Sequence, residues 1–93
     1  MSKHDEIANR LADKFNTEYK SDKGIDLVKP RRVIEVEVHK STLDQGIHQI
    51  IHSSKARYLA VPKLIQRETL NMTKGTGIGV MSEYGKIIKR ASR

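Results

Sequence analysis

The stretch Gly24–Lys40, GIDLVKPRRVIEVEVHK, decides the fold. It predicts two short strands, 24–28 and 32–38, joined through Pro30, which has no N–H to give a ladder. Side chains on a strand alternate faces, so Ile34, Val36 and Val38 share one face and Glu35 and Glu37 the other. The apolar face calls for a helix to cover it. Packing does not explain the acidic face, because two like charges side by side repel. If the strands pair, Asp26 joins that face. Three converging carboxylates suit a hard divalent cation, Mg²⁺ or Mn²⁺, which takes oxygen ligands.

Upstream, residues 4 to about 16 predict a helix, with Ile7, Ala8, Leu11, Ala12 and Phe15 on one face. Glu6 lies in its first turn, where the helix dipole favours an acid. A short strand is expected around Thr17–Lys20, then a turn at Asp22-Lys23-Gly24.

Downstream, Ser41 or Thr42 caps a second helix, and Ser41 with Asp44 has the spacing of a capping box. Leu43, Ile47, Ile50 and Ile51 form its buried stripe. Gln45, Gln49 and His52 lie along another side. His48 and His52 stand four apart, but with no HExxH pattern and no Cys they do not argue for zinc. Arg57–Val61 reads as a buried strand, and the strand–helix–strand order makes it parallel to 32–38 by a right-handed crossover.

Residues 63–73 predict a third helix after Pro62, with Leu64, Ile65 and Met72 inward and Gly75 as its stop. Lys74-Gly-Thr-Gly-Ile-Gly79 looks like a phosphate loop, but it follows a helix and precedes a strand. Helix exit and turn is the better reading. Residues 78–81 and 86–89 predict a hairpin through Ser82–Gly85.

Ninety-three residues make one small domain spanning 1–93, with 90–93 expected to be a flexible basic tail. Aromatics are 4% of the chain and there is no Trp, so the core must be Ile, Val and Leu. With no Cys, disulfides, thiolate zinc sites and thiol catalysis are excluded. No stretch resembles a membrane span or a signal peptide, so a soluble, cytoplasmic protein is expected. The net charge of +7 points to a polyanionic partner, most simply nucleic acid. The charge is clustered, in Lys29-Pro-Arg31-Arg32 and in the Lys86–Arg93 tail.

Asp26, then Glu35-Val36-Glu37 on the next strand, resembles the PD-(D/E)XK nuclease superfamily, with Glu37 standing where that family usually carries Lys. The order helix, strand, strand, strand, helix, strand over residues 4–61 is similar to the family's core, here followed by a helix and a hairpin. By size and layout the chain looks most like archaeal Holliday-junction resolvases or virus- or plasmid-borne nucleases.

The resemblance implies an α/β fold with a mixed, restriction-endonuclease-like sheet. It implies Mg²⁺-dependent hydrolysis of phosphodiester bonds in DNA, including structured or branched DNA. Asp26, Glu35 and Glu6 would hold the metal, while Glu37 acts as base or further ligand. Gln49, more than Gln45, would face the site. Lys29, Arg31, Arg32 and Lys40 would contact the DNA backbone without reading sequence. Lys40 is odd-numbered from Glu37 and could take the missing Lys role only if the strand has ended. A homodimer is expected, because cutting both strands needs two sites. No small-molecule cofactor is expected. Two other readings stay open: an inactive nucleic-acid-binding module with this fold, and a structural role in which Glu35 and Glu37 pair with Lys or Arg.

Overall fold

The computed structural model describes residues 2–20 and 24–92. Helix α1 runs Lys3–Lys14, with the Ser2 hydroxyl accepting from the Asp5 N–H at its start. It ends on Asn16 in the left-handed region, φ 55°. There the Asn16 N–H donates to the Asp13 carbonyl and the Thr17 N–H to that of Ala12. This is a Schellman closure, and Asn is the side chain that tolerates it best after Gly.

The expected strand at Thr17–Lys20 is reduced to one bridge, Tyr19 with Leu27. Asp22 and Lys23 of the expected turn lie outside the described residues, and Gly24 has φ 56°.

Five strands form one mixed sheet: β1 Leu27–Val28, β2 Arg32–Val36, β3 Ala56–Val61, β4 Gly79–Ser82 and β5 Ile87–Lys89. They lie in sequence order, with β2–β3 and β3–β4 parallel and the outer pairs antiparallel. Helix α2, Leu43–Ile50, makes the β2–β3 crossover, and α3, Gln66–Met72, the β3–β4 crossover. Period-2 alternation splits the strands between two apolar layers. Ile34, Val36, Tyr58, Ala60 and Met81 pack with Ile7, Ala8 and Leu11 of α1. Val33, Leu59, Val61 and Val80 pack with Leu43, Ile50 and Ile65. Each fully buried Leu or Ile contributes about 1.5–3 kcal/mol. The helices therefore cover both faces of the sheet.

Strands β1 and β2 are both shorter than the alternation predicts, and carboxylates are the reason. The Val36 N–H, which would continue the ladder to β1, donates to Asp26 Oδ2. The Asp26 N–H donates to Glu35 Oε1. Side chains replace strand bonds, so β1 keeps two residues and Glu37 and Val38 fall past the end of β2.

The capping box of α2 does not form. A 3₁₀ turn, Lys40–Thr42, precedes the helix, and its N-cap Thr42 makes no side-chain cap bond. In the third helix Leu64 and Met72 are 91% and 37% exposed, not inward. A 3₁₀ turn at Lys63–Ile65 advances 120° per residue instead of 100° and shifts the phase. Ile65 is buried as expected, and Thr69 and Thr73 are buried in place of the other two. Each threonine hydroxyl donates to the carbonyl four residues back, which removes the penalty of burying it. Gly75 lies two residues beyond the cap Thr73, with φ 76°.

The final hairpin forms as expected, its turn closed by the Gly85 N–H on the Ser82 carbonyl. The Ala91 N–H donates to the Tyr58 hydroxyl and the Ser92 N–H to the Gly77 carbonyl. Among the described residues no helix is long and apolar enough to cross a membrane.

Candidate functional site

The β1–β2 register pairs Leu27 with Ile34, so the next antiparallel step sets Asp26 against Glu35. The two are interlocked. Val36 N lies 2.9 Å from Asp26 Oδ2, and Asp26 N lies 3.1 Å from Glu35 Oε1. Glu37 sits one turn of the chain further on. Its N–H donates to the Ala60 carbonyl, and its Oε1 accepts from the Thr42 hydroxyl at 2.6 Å. Helix α2 crosses directly above it at Gly46. A Cβ there would lie 2.6 Å from Glu37 Cγ, so only glycine lets the helix this close. Asp26, Glu35 and Glu37 are 5%, 8% and 9% exposed.

From α1, His4 Nε2 reaches Asp26 Oδ2 at 3.0 Å. His4 Nδ1 is 3.2 Å from the Tyr19 hydroxyl, which donates to Asp5 Oδ1 at 2.6 Å. A continuous hydrogen-bonded line thus runs from Asp5 to the buried Asp26. The Tyr19 bond holds Asp5 below its usual carboxylate range. Burial, then Asp5, pushes the Tyr19 phenol well up.

Burial dominates the electrostatics of the cluster. It pushes Glu35 up to about 8, with the charge of Asp26 adding and the Asp26 N–H partly offsetting. Burial also raises Asp26, against the Val36 N–H and His4, and raises Glu37, against the Thr42 hydroxyl. Among the described residues no Lys or Arg forms an ion pair with any of the three. A buried anion without a counter-charge takes up a proton or attracts a cation. A cavity of about 530 Å³ opens beside Asp26, between Thr17–Lys20 and Ile25–Val28.

Of the residues expected from sequence, the fold gathers Asp26, Glu35 and Glu37 at one end of the sheet. Glu6 is exposed on α1, and the approach from that helix is taken by His4. His4 went unnoticed in the sequence. Its signal was its place, three and four residues before the buried Ile7 and Ala8, hence on the inner face. Gln49 is exposed on α2 with its amide against Gly24, two residues before Asp26; Gln45 is exposed as well. Lys40 is exposed in the 3₁₀ turn after Glu37, where the strand has ended.

Lys29, Arg31 and Arg32 stand at the other end of β2, where Arg32 is five residues and therefore roughly 16 Å from Glu37. The Lys29 ammonium donates to the Phe15 carbonyl. The Arg32 guanidinium lies over the Phe15 and Tyr58 rings, 5.4 and 5.6 Å from their centroids. Arg31 is exposed.

As a ligand set the carboxylates are hard oxygen donors. Asp26 Oδ1 and Glu35 Oε2 accept no hydrogen bond among the described residues. Among those residues no group of three or more His, Cys, Asp or Glu side chains is arranged to enclose a metal ion. Mg²⁺ does not require such a cage, since it is commonly held by one or two carboxylates with water and substrate phosphate. No family model, curated protein or solved structure matches this chain.

Proposed function

We propose that this chain is a metal-dependent endonuclease with a PD-(D/E)XK-like site, hydrolysing phosphodiester bonds in DNA. The observation that carries this reading is the interlocked pair Asp26 and Glu35 at the open end of a hairpin. With Glu37 they make three buried carboxylates that lack a Lys or Arg partner among the described residues. The sheet supports it: an antiparallel hairpin, a crossover helix, then a parallel strand, with α1 on the far face. We read this as a restriction-endonuclease-like order whose first strand is reduced to the Tyr19 bridge.

Asp26 and Glu35 would hold Mg²⁺ or Mn²⁺ through their open oxygens. The ion would lower the pKa of water and stabilise charge on the phosphoryl oxygens. His4 orients Asp26. Thr42 holds Glu37 beside the pair, where it serves as base or further ligand. Lys40 and Arg31, both exposed, contact DNA phosphates, and a homodimer presents two such sites to a two-stranded substrate.

The test is cleavage of labelled duplex, single-stranded and four-way-junction DNA with Mg²⁺, Mn²⁺ or chelator. Asp26→Ala and Glu35→Ala, each checked for folding, are expected to lose activity on the order of a hundredfold or more. Equal cutting by the variants and the parent would refute the assignment.

A second reading, an inactive nucleic-acid-binding module, is favoured by Glu37 at the Lys position. It predicts DNA binding that survives chelator and Asp26→Ala, with no cutting under any metal.

A further inference from the structure

The turn Lys74–Ile78 between α3 and β4 faces the end of β5 across a second cleft, of about 540 Å³. We propose that this cleft binds a phosphate group, held by Lys74, Lys89 and Arg90 together with the backbone N–H groups of Gly75 and Gly77.

Charge is the first argument. Those three cations line the cleft and no Asp or Glu does. Among the described residues none of the three forms an ion pair. Lys89 is half-buried, and its ammonium donates to the Thr73 hydroxyl at 2.7 Å, which leaves two N–H bonds unused. Burial and the neighbouring Lys74 charge hold Lys89 below the usual lysine range. An anion between the two lysines would relieve that repulsion.

Backbone geometry is the second argument. Gly75 and Gly77 have φ of 76° and 77°. Left-handed residues placed between ordinary ones turn N–H groups toward one concave side that takes anions. Here the Lys74, Thr76 and Ile78 N–H groups are already bonded to the Asn71 and Thr73 carbonyls and the Thr76 hydroxyl, which leaves those of the two glycines. Neither glycine N–H makes a hydrogen bond among the described residues. A Cβ on Gly75 would meet nothing within 4 Å, so the space at Gly75 is open, whereas Gly77 packs against the Ser92 carbonyl and the Arg57 guanidinium.

The turn is also held in place. The Thr76 hydroxyl accepts from the Ile78 N–H. From below, the Arg57 guanidinium donates to the carbonyls of Ile51, Thr76 and Ser92. A site held this way loses little entropy on binding. Several donors converging from different directions fit a tetrahedral oxyanion better than a carboxylate. The loop is not the strand-to-helix phosphate loop of nucleotide hydrolases, since it leaves a helix and enters a strand.

The register of β4 against β3 and of β3 against β2 sets this cleft at the end of the sheet away from Asp26 and Glu37. The proposal therefore does not depend on the carboxylate reading. The phosphate can come from a nucleic-acid backbone or from a free phosphate.

The test is a ¹⁵N amide titration of the full chain, in chelator, with inorganic phosphate and separately with a short DNA oligonucleotide. Saturable shifts of the Gly75 and Gly77 amides are expected. The K74A/R90A variant, altered only at exposed positions, should bind at least about tenfold more weakly with the rest of its spectrum unchanged. If the oligonucleotide acts at far lower concentration and phosphate competes with it, the source is a nucleic-acid backbone. If only phosphate shifts these amides, the source is the free ion. No saturable shift with either probe, or equal shifts in K74A/R90A, would overturn the proposal.

Discussion

The two ends of the sheet treat charge in opposite ways. Along β2 the sign reverses within five residues, from Arg32 to Glu37. At the basic end the cations find carbonyls and rings. Lys29 donates to the Phe15 carbonyl, Lys55 to that of Lys29, and Arg57 to three others. Long side chains reach such partners while their stems stay packed. At the acidic end the side chains are short and fixed to central backbone. They gain N–H and hydroxyl donors and the His4 ring but, among the described residues, no Lys or Arg, and burial lifts all three. Lys29, Lys55 and Arg57 are thus settled within the chain, whereas the acidic end is left short of a Lys or Arg partner among the described residues.

The sharpest way to break this contrast is Glu35→Gln. The folded state holds the Glu35 proton to about pH 8, and the unfolded chain releases it near 4.5. Between those values the folded state binds more protons, so its stability falls as pH rises. Over that window the Glu35 contribution to the loss should reach roughly 3–5 kcal/mol in the parent, and Glu35→Gln should keep only the smaller loss from Asp26 and Glu37, which burial also raises. Urea unfolding at pH 4.5, 6 and 8 measures it, and parallel curves for the two proteins would contradict the assignment. Mg²⁺ at pH 8 should restore stability to the parent alone.

Gly46→Ala tests whether the acidic end is closed by helix contact. The added Cβ would meet Glu37 Cγ at 2.6 Å and Oε2 at 2.9 Å. Overpacking should destabilise by about 1–3 kcal/mol despite alanine's better helix propensity. Adding Glu37→Ala removes the obstacle, so the double variant should recover most of the loss. A cycle that is simply additive would place the strain elsewhere.

Arg32→Ala should give the smallest effect, about 0.5–1 kcal/mol for each lost ring contact. In a chain of this size that is a fall in Tm of several degrees. An unchanged Tm would mean that Arg32 is held only loosely at the basic end.

Where sequence and structure agree, a periodic pattern was decisive. Ile34, Val36 and Val38 announce a strand, Leu43 and Ile50 a crossover helix, and Ser82–Gly85 a hairpin turn. Where they part, a single side chain redirected the backbone. Asp26 and Glu35 take the N–H groups that would have lengthened β1. The 3₁₀ turn after Pro62 rotates Leu64 outward, and Thr69 and Thr73 enter the core because each satisfies its own hydroxyl. None of these is periodic, so none is visible in a hydrophobic pattern.

The candidate site was legible in part for the same reason. Asp26, Glu35 and Glu37 share a face by strand arithmetic alone. His4 reaches Asp26 across 22 positions, a pairing that only the packing of α1 on the sheet creates. Local alternation and turn chemistry determined the strand, helix and hairpin order and the acidic face of the second strand. Tertiary packing decided the rest, namely His4 as the partner from α1, glycine under α2 and the separation of acids from bases. It did so because desolvation and hydrogen-bond closure depend on what lies across the fold, not along the chain.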